Sequence, residues 1–209
     1  MENVLVVGAT GTTGHIIVNY LKGSQDFEPI AMVRNAEQEK AFSTQNIRTV
    51  HGDLEEDVSK TVQGIDKVIF AAGSGGKKVE SVDQDGAIKM IKASEDAKIN
   101  KFVMLSSMGA DYPEQSDQLK EYLKAKHNAD EFLKKSTLNY TIVRPGTLNN
   151  NAGQGTIELA EKLSKRGEIT RDDVAQTLIQ ALRDESTDTS TFEILQGNTP
   201  IESAFKTIN

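Results

Sequence analysis

Tyr122 and Lys126, in the run Tyr122-Leu123-Lys124-Ala125-Lys126, put a phenol and an ammonium four residues apart and so on one face of a helix. A phenol whose ordinary pKa is about 10 is a poor base at neutral pH, but a neighbouring cation favours its phenolate and improves proton transfer. Upstream, Leu105-Ser106-Ser107-Met108-Gly109 closes an apolar run. A hydroxyl there, from Ser107 or Ser106, can polarise a substrate carbonyl. Tyr and Lys at this spacing also occur on ordinary solvated helix faces, so the weight of the pair comes from its surroundings.

The strongest of those surroundings is Val4-Leu5-Val6-Val7-Gly8-Ala9-Thr10-Gly11-Thr12-Thr13-Gly14-His15-Ile16-Ile17, an apolar strand feeding a glycine-rich turn that opens an amphipathic helix. Gly8 permits a tight turn, Gly11 a close approach to a pyrophosphate and Gly14 a close helix-strand contact. The unpaired N–H groups of the first helical turn suit phosphates. A dinucleotide site is expected here. The next strand ends Ala31-Met32-Val33-Arg34-Asn35, with Arg34 where an NAD site usually carries a carboxylate for the ribose 2′-hydroxyl. A guanidinium suits a 2′-phosphate, which predicts NADP(H) in preference to NAD(H). In His51-Gly52-Asp53-Leu54, Asp53 can accept from the adenine amino group while Leu54 packs on the ring; an Asp at such a position also commonly caps a turn.

The elements that must position these groups follow from periodicity. Apolar runs at Val4–Val7, Ile30–Val33, Ile47–Val50, Val68–Ala72, Phe102–Leu105 and Tyr140–Val143 read as buried parallel strands. Helical patterns fall between most of them, at Thr13–Leu21 (with Ile16, Ile17, Tyr20 and Leu21 at helical spacing), Val82–Ala97 and Leu119–Lys135. This alternation predicts an α/β fold, a Rossmann-type doubly wound parallel sheet whose ligands sit beyond the carboxyl ends of the strands. After Pro145 the polar loop Asn149–Gly155 breaks the pattern and is expected to border the site. Thr156–Leu163 has a helical composition but alternates at Ile157 and Leu159, which favours a strand. Asp172–Leu182 is expected as a capped helix, Thr191–Leu195 as a strand and Ile201–Phe205 as a short helix. The whole of 1–209 reads as one domain, with about 147–209 contributing a minimal substrate region.

Composition narrows the class. There is no cysteine among the 209 residues, so disulfides and thiolate chemistry are excluded, which suits a reducing, cytoplasmic setting. A formal charge of -7 argues against a general nucleic-acid binder. No apolar run approaches the ~20 residues that span a bilayer, and no basic leader precedes the first strand. His15, His51 and His127 lack ligand spacing, so no metal site is expected. A small-molecule substrate is the expected partner; a monomer and a homodimer both fit.

Taken with Ala71-Ala72-Gly73, Arg144-Pro145-Gly146 and Asp172-Asp173-Val174-Ala175, these motifs resemble the atypical short-chain dehydrogenases/reductases over nearly the whole chain. Within that superfamily the chain resembles small NAD(P)H-binding proteins of the NAD-dependent epimerase/dehydratase type, relatives of NmrA-like proteins and of biliverdin/flavin reductases. The resemblance implies that Gly8, Thr10, Gly11, Thr12 and Thr13 hold the pyrophosphate and that Ala71, Ala72 and Gly73 line the adenosine and ribose. It also implies that Pro145, Gly146, Thr147 and Leu148 pass beside the nicotinamide. Lys126 would hold the nicotinamide ribose. The position of the Asn that completes the tetrad in extended members is Asp83 here, and a carboxylate accepts but cannot donate as an amide does, so any proton relay through it must differ. Gly73-Ser74-Gly75-Gly76-Lys77-Lys78 has the composition of a mobile lid, and equally of a solvated loop. The expected activity is NADP(H)-dependent hydride transfer to a small carbonyl, quinone or flavin-like acceptor. An NADP(H) redox sensor of NmrA-like type is the alternative, and the short substrate region disfavours a sugar epimerase or dehydratase.

Overall fold

The computed structural model describes residues 1–208. In chain order its elements are β1 (Glu2–Val7), α1 (Thr12–Lys22), β2 (Phe27–Val33), α2 (Ala36–Ser43), β3 (Arg48–His51), β4 (Lys67–Phe70), α3 (Asp85–Asp96), β5 (Lys101–Leu105), α4 (Lys120–Lys134) and β6 (Tyr140–Pro145). There follow β7 (Thr147–Asn149), β8 (Thr156–Ala160), β9 (Glu168–Thr170), α5 (Arg171–Arg183), β10 (Ser190–Gln196), β11 (Thr199–Pro200) and α6 (Ile201–Phe205). The main sheet runs β11-β8-β10-β6-β5-β4-β1-β2-β3. Every pairing from β3 to β10 is parallel, whereas β8 and β11 add antiparallel pairings beyond β10. This is a Rossmann-type fold, with β7 and β9 forming a separate parallel ribbon.

The continuous apolar runs exist because both faces of the sheet are covered. Successive residues of β1 enter two different cores. Val4 and Val6 pack with Ile17, Val18 and Leu21 of α1 and Val174 and Leu178 of α5. Leu5 and Val7 pack with Met90 and Ile91 of α3 and Ala129 and Leu133 of α4. Because the strands are parallel, their carboxyl ends fall on one edge, and Gly8, Arg34, Ala71, Ser106 and Gly146 all follow a strand there.

Three local expectations are corrected. Tyr20, at helical spacing with the core positions of α1, is 44% exposed, and its hydroxyl instead donates to Asp172 of α5 at 3.0 Å. Helix α2 is an addition to the expected elements, because Phe42 is its one buried residue and it shows almost no apolar periodicity. The expected helix from Val82 is preceded by a π-helical turn over Val79–Gln84, and the regular helix begins at Asp85. The strand at Thr156–Ala160 forms, and Thr170 caps α5 by accepting from the Asp173 N–H at 2.9 Å.

Candidate active site

The glycine turn is packed closely against the protein's own backbone. Gly8 has φ +85°, and a Cβ there would lie 2.6 Å from backbone atoms of Ala72 on the neighbouring strand end. A Cβ on Gly14 would lie 2.1 Å from the Gly8 carbonyl oxygen, so α1 is seated directly on the turn. Gly11 is the N-cap; no side chain caps the helix, and no acid occupies its first turn. The first backbone bond of the helix is from the His15 N–H to the Gly11 carbonyl, 2.8 Å, which leaves the N–H groups of Thr12, Thr13 and Gly14 open at a positive helix end. Thr10 and Thr12 are exposed beside it. These residues fit a pyrophosphate.

At the carboxyl ends of β2 and β3, Arg34 is exposed. Its N–H donates to Gln38 Oε1 at 2.8 Å, while the Gln38 N–H donates to the Asn35 side chain at 3.0 Å, so a reciprocal cap of α2 holds the segment. His51 reaches the Arg34 carbonyl with Nε2 at 2.7 Å. Asp53 turns one carboxylate oxygen onto the Glu55 N–H at 3.0 Å, the turn-capping role that competes with adenine recognition, and keeps Oδ2 free. Leu54 is 7% exposed and packs against Gly86 in the core, so little of it is offered to a ring.

The Tyr-Lys pair stands on α4. Lys126 is 3% exposed; Nζ donates to the Leu105 carbonyl at 3.1 Å and lies 5.8 Å from the centre of the Tyr122 ring. This bond ties the pair to the end of β5, next to the two serines. Neighbouring residues at a strand end project to opposite sides, and here the two serines divide. Ser106 is 3% exposed and donates to Asp130 Oδ2 at 2.8 Å, so its hydroxyl is held in the interior. Ser107 is half-buried, and its hydroxyl makes only a 3.3 Å contact with the Met108 carbonyl. Of the two, Ser107 is the one free to meet a ligand. Pro145 is buried at the end of β6, and its carbonyl accepts from the Met108 N–H at 3.0 Å. Gly146 is pressed between the Gly167 carbonyl and Leu195, each 2.4 Å from a Cβ built there, and Thr147 and Leu148 continue into β7.

Asp83 makes its hydrogen bonds to the loop after β4. It is 1% exposed and accepts from the N–H and hydroxyl of Ser74, anchoring the start of the Gly73–Lys78 loop. The other end of that loop is tied by an ion pair from Lys78 to Glu55. The Asp83 carboxylate therefore fastens the loop that follows Ala71 and Ala72.

Several residues that the sequence left without a role belong to this edge. Asp130 is fully buried and receives Arg144 Nε at 3.0 Å and Nη2 at 2.8 Å. Burial pushes its carboxyl above the usual range, against the opposing charges and hydrogen bonds of Arg144, Ser106 and Lys126. The sequence signal was its place four residues beyond Lys126, on the same helix face. Lys162, from the segment after β8, bridges Asp111 at 2.6 Å and the fully buried Glu193 at 2.8 Å, joining that segment to the loop after β5. Among the described residues no group of three or more His, Asp or Glu could hold a metal ion, and no helix is long and apolar enough to cross a membrane.

A cradle for pyrophosphate at the switch of strand order, with a Tyr-Lys pair at the adjoining strand end, defines a dinucleotide-binding α/β protein. The chain belongs to the NAD(P)H-binding family, whose model matches residues 8–185. It is 40% identical over 211 residues to the uncharacterized sugar epimerase YhfK of Bacillus subtilis, covering 97% of this chain and 98% of that one. Its structure resembles that of a Bacillus halodurans protein named as an NAD-dependent epimerase/dehydratase, with 40% identity, a TM-score of 0.94 and 99% of each chain covered. It also resembles the oxidoreductase ylbE from Lactococcus lactis, with 31% identity, a TM-score of 0.88, and 98% of this chain and 95% of that one covered.

Proposed function

We propose that the protein is an NADP(H)-dependent oxidoreductase of the atypical short-chain dehydrogenase/reductase type, transferring hydride to a small carbonyl, quinone or flavin-like acceptor. The observation that carries this proposal is the buried Lys126 ammonium, fixed between the Leu105 carbonyl and the Tyr122 ring at the strand end that also carries Ser107. A buried ammonium with a single protein acceptor keeps two further donors, and the ribose hydroxyls of a nicotinamide cofactor suit them. When bound, NADPH supplies the hydride. Gly8, Thr10, Gly11, Thr12 and Thr13 hold the pyrophosphate, and Arg34 holds the 2′-phosphate. Asp53 Oδ2 and the edge of Leu54 face the adenine, Ala71, Ala72 and Gly73 line its ribose, and Pro145, Gly146, Thr147 and Leu148 flank the nicotinamide. Ser107 polarises the acceptor oxygen. Tyr122 delivers the proton to that oxygen, with the Lys126 ammonium 5.8 Å from its ring centre as the neighbouring cation. Ser106 and Asp83 act at one remove, through Asp130 and Ser74. The L. lactis relative, named as an oxidoreductase, accords with this chemistry.

The test is NADPH oxidation against a panel of carbonyls, quinones and flavins. Turnover of a carbonyl that is lost in Tyr122→Phe and Ser107→Ala, with NADPH binding intact, is the expected result. Absence of turnover across the panel, with NADPH and NADP⁺ bound at different affinities, would make the protein a redox sensor instead.

A further inference from the structure

We propose that His51 is a second ligand of the cofactor 2′-phosphate and that it takes up a proton as that phosphate binds. The inference rests on the assignment of Arg34 to the 2′-phosphate and adds a residue and a mechanism to it. In the β2-β3 ladder Val33 is the partner of His51, and the Gly52 N–H donates to the Val33 carbonyl at 2.9 Å, so the end of β3 is fixed beside Arg34. His51 Nε2 lies 2.7 Å from the Arg34 carbonyl oxygen. A carbonyl only accepts, so Nε2 carries a hydrogen and Nδ1 is the remaining nitrogen of an exposed ring.

As a neutral imidazole, His51 presents a lone pair at Nδ1, which a phosphate oxygen would repel. Once protonated, it presents an N–H donor and a positive charge on the strand edge that carries Arg34, with its ring held on the Arg34 backbone. The surrounding charges leave this place to an anion. Arg34 takes part in none of the ion pairs among the described residues. In the loop after β3, Glu55, whose carboxyl is influenced by Arg34, is already matched by Lys78 and Ser81, and Asp53 is turned onto the Glu55 N–H. On α2 the charged residues Glu37, Glu39 and Lys40 are exposed, and Arg48 lies at the opposite end of β3 with Nη1 on Asn3. A 2′-phosphate dianion supplies the negative charge that would offset both cations at this strand edge. NADP(H) binding would then be linked to proton uptake and NAD(H) binding would not.

Calorimetric titration of NADPH and NADH into the wild-type chain, His51→Gln and His51→Lys, at about pH 6 and about pH 8, tests this in the histidine range. Gln keeps a donor for the Arg34 carbonyl but cannot be protonated, and comparison with it cancels the titration of the phosphate itself. At the lower pH the wild type is expected to bind NADPH about tenfold more tightly than His51→Gln. That advantage should fade at the higher pH, while His51→Lys keeps it at both and NADH distinguishes none of the three. If NADPH outcompetes NADH but His51→Gln binds it as well as the wild type at both pH values, the role of His51 is overturned and that of Arg34 stands. A loss shared equally by NADH would also overturn it, as a structural effect. Equal binding of NADPH and NADH by the wild type overturns the 2′-phosphate assignment itself.

Discussion

Ser106, just past the end of β5, and Arg144 of the neighbouring β6 meet on a single oxygen of Asp130: Oδ2 takes the serine hydroxyl at 2.8 Å and the guanidinium at 3.0 and 2.8 Å. Asp130 lies on the α4 face that also carries Lys126 and Tyr122, so one helix both presents the Tyr-Lys pair and clamps it to β5 and β6. Breaking a buried ion pair from one side leaves an uncompensated charge. Asp130→Ala should therefore lose about 3–5 kcal/mol of unfolding free energy. Ser106→Ala, which deletes one donor and spares the pair, should lose about 1 kcal/mol. Urea unfolding of both variants checks the order, and equal losses would count against a clamp centred on Asp130.

Gly14 is constrained by the backbone of the turn it packs on. An alanine Cβ at this position would lie 2.1 Å from the Gly8 carbonyl oxygen, so Gly14→Ala must push α1 away from the turn. Overpacking of this kind costs about 1–3 kcal/mol. The same shift displaces the open N–H groups of Thr12 and Thr13, so NADPH should lose its stabilising effect in a thermal-shift assay. Gly64→Ala is a useful contrast: a Cβ there meets nothing within 4 Å, although φ +69° is strained, so cofactor binding should survive.

On the proposed assignment of Arg34 to the 2′-phosphate, Arg34→Ala removes a fork of charge-assisted donors from one phosphate only. NADPH affinity should fall about tenfold or more while NADH affinity stays unchanged. Titration of both cofactors into the variant reads this directly; an equal change in both would place Arg34 elsewhere in the site.

The bridge from Lys162 to Asp111 gives a pH signature. Burial alone would raise the Asp111 carboxyl, but the Lys162 hydrogen bond and charge, with Arg144 behind them, outweigh it and hold the group below its ordinary value. A carboxyl depressed in the folded state contributes stability above the unfolded pKa, about 3.9, and loses it as pH falls through the lower folded value. Lys162 is 52% exposed, so solvent screening limits the effect to less than about 1 kcal/mol. The stability difference between wild type and Asp111→Asn should be constant from about pH 7 to about pH 5 and shrink below about pH 4. A difference that grows in acid would exclude this ion pair as its source.

The fold was legible where one residue type met one physical demand. Val4–Val7 had to be a strand covered on both faces, and Gly8 and Gly14 had to permit close approaches, because each signal is local. Helix α2 was illegible because Phe42 is its one buried anchor, so its apolar pattern is too sparse to read. Tyr20 was misplaced for the opposite reason: helical spacing put it near the core, and Asp172, distant in sequence, drew its hydroxyl outward.

The sequence by itself determined a Rossmann-type sheet, a glycine turn that opens a helix, and a Tyr-Lys pair on one helix face, since periodicity and glycine spacing are set within a few residues. Only the tertiary structure decided that Ser106 faces Asp130 while Ser107 stays free, that Asp83 fastens Ser74, and that His51 stands beside Arg34. Those pairings join residues brought together by strand order and helix packing, and no local pattern in the chain encodes which partner a polar side chain will meet.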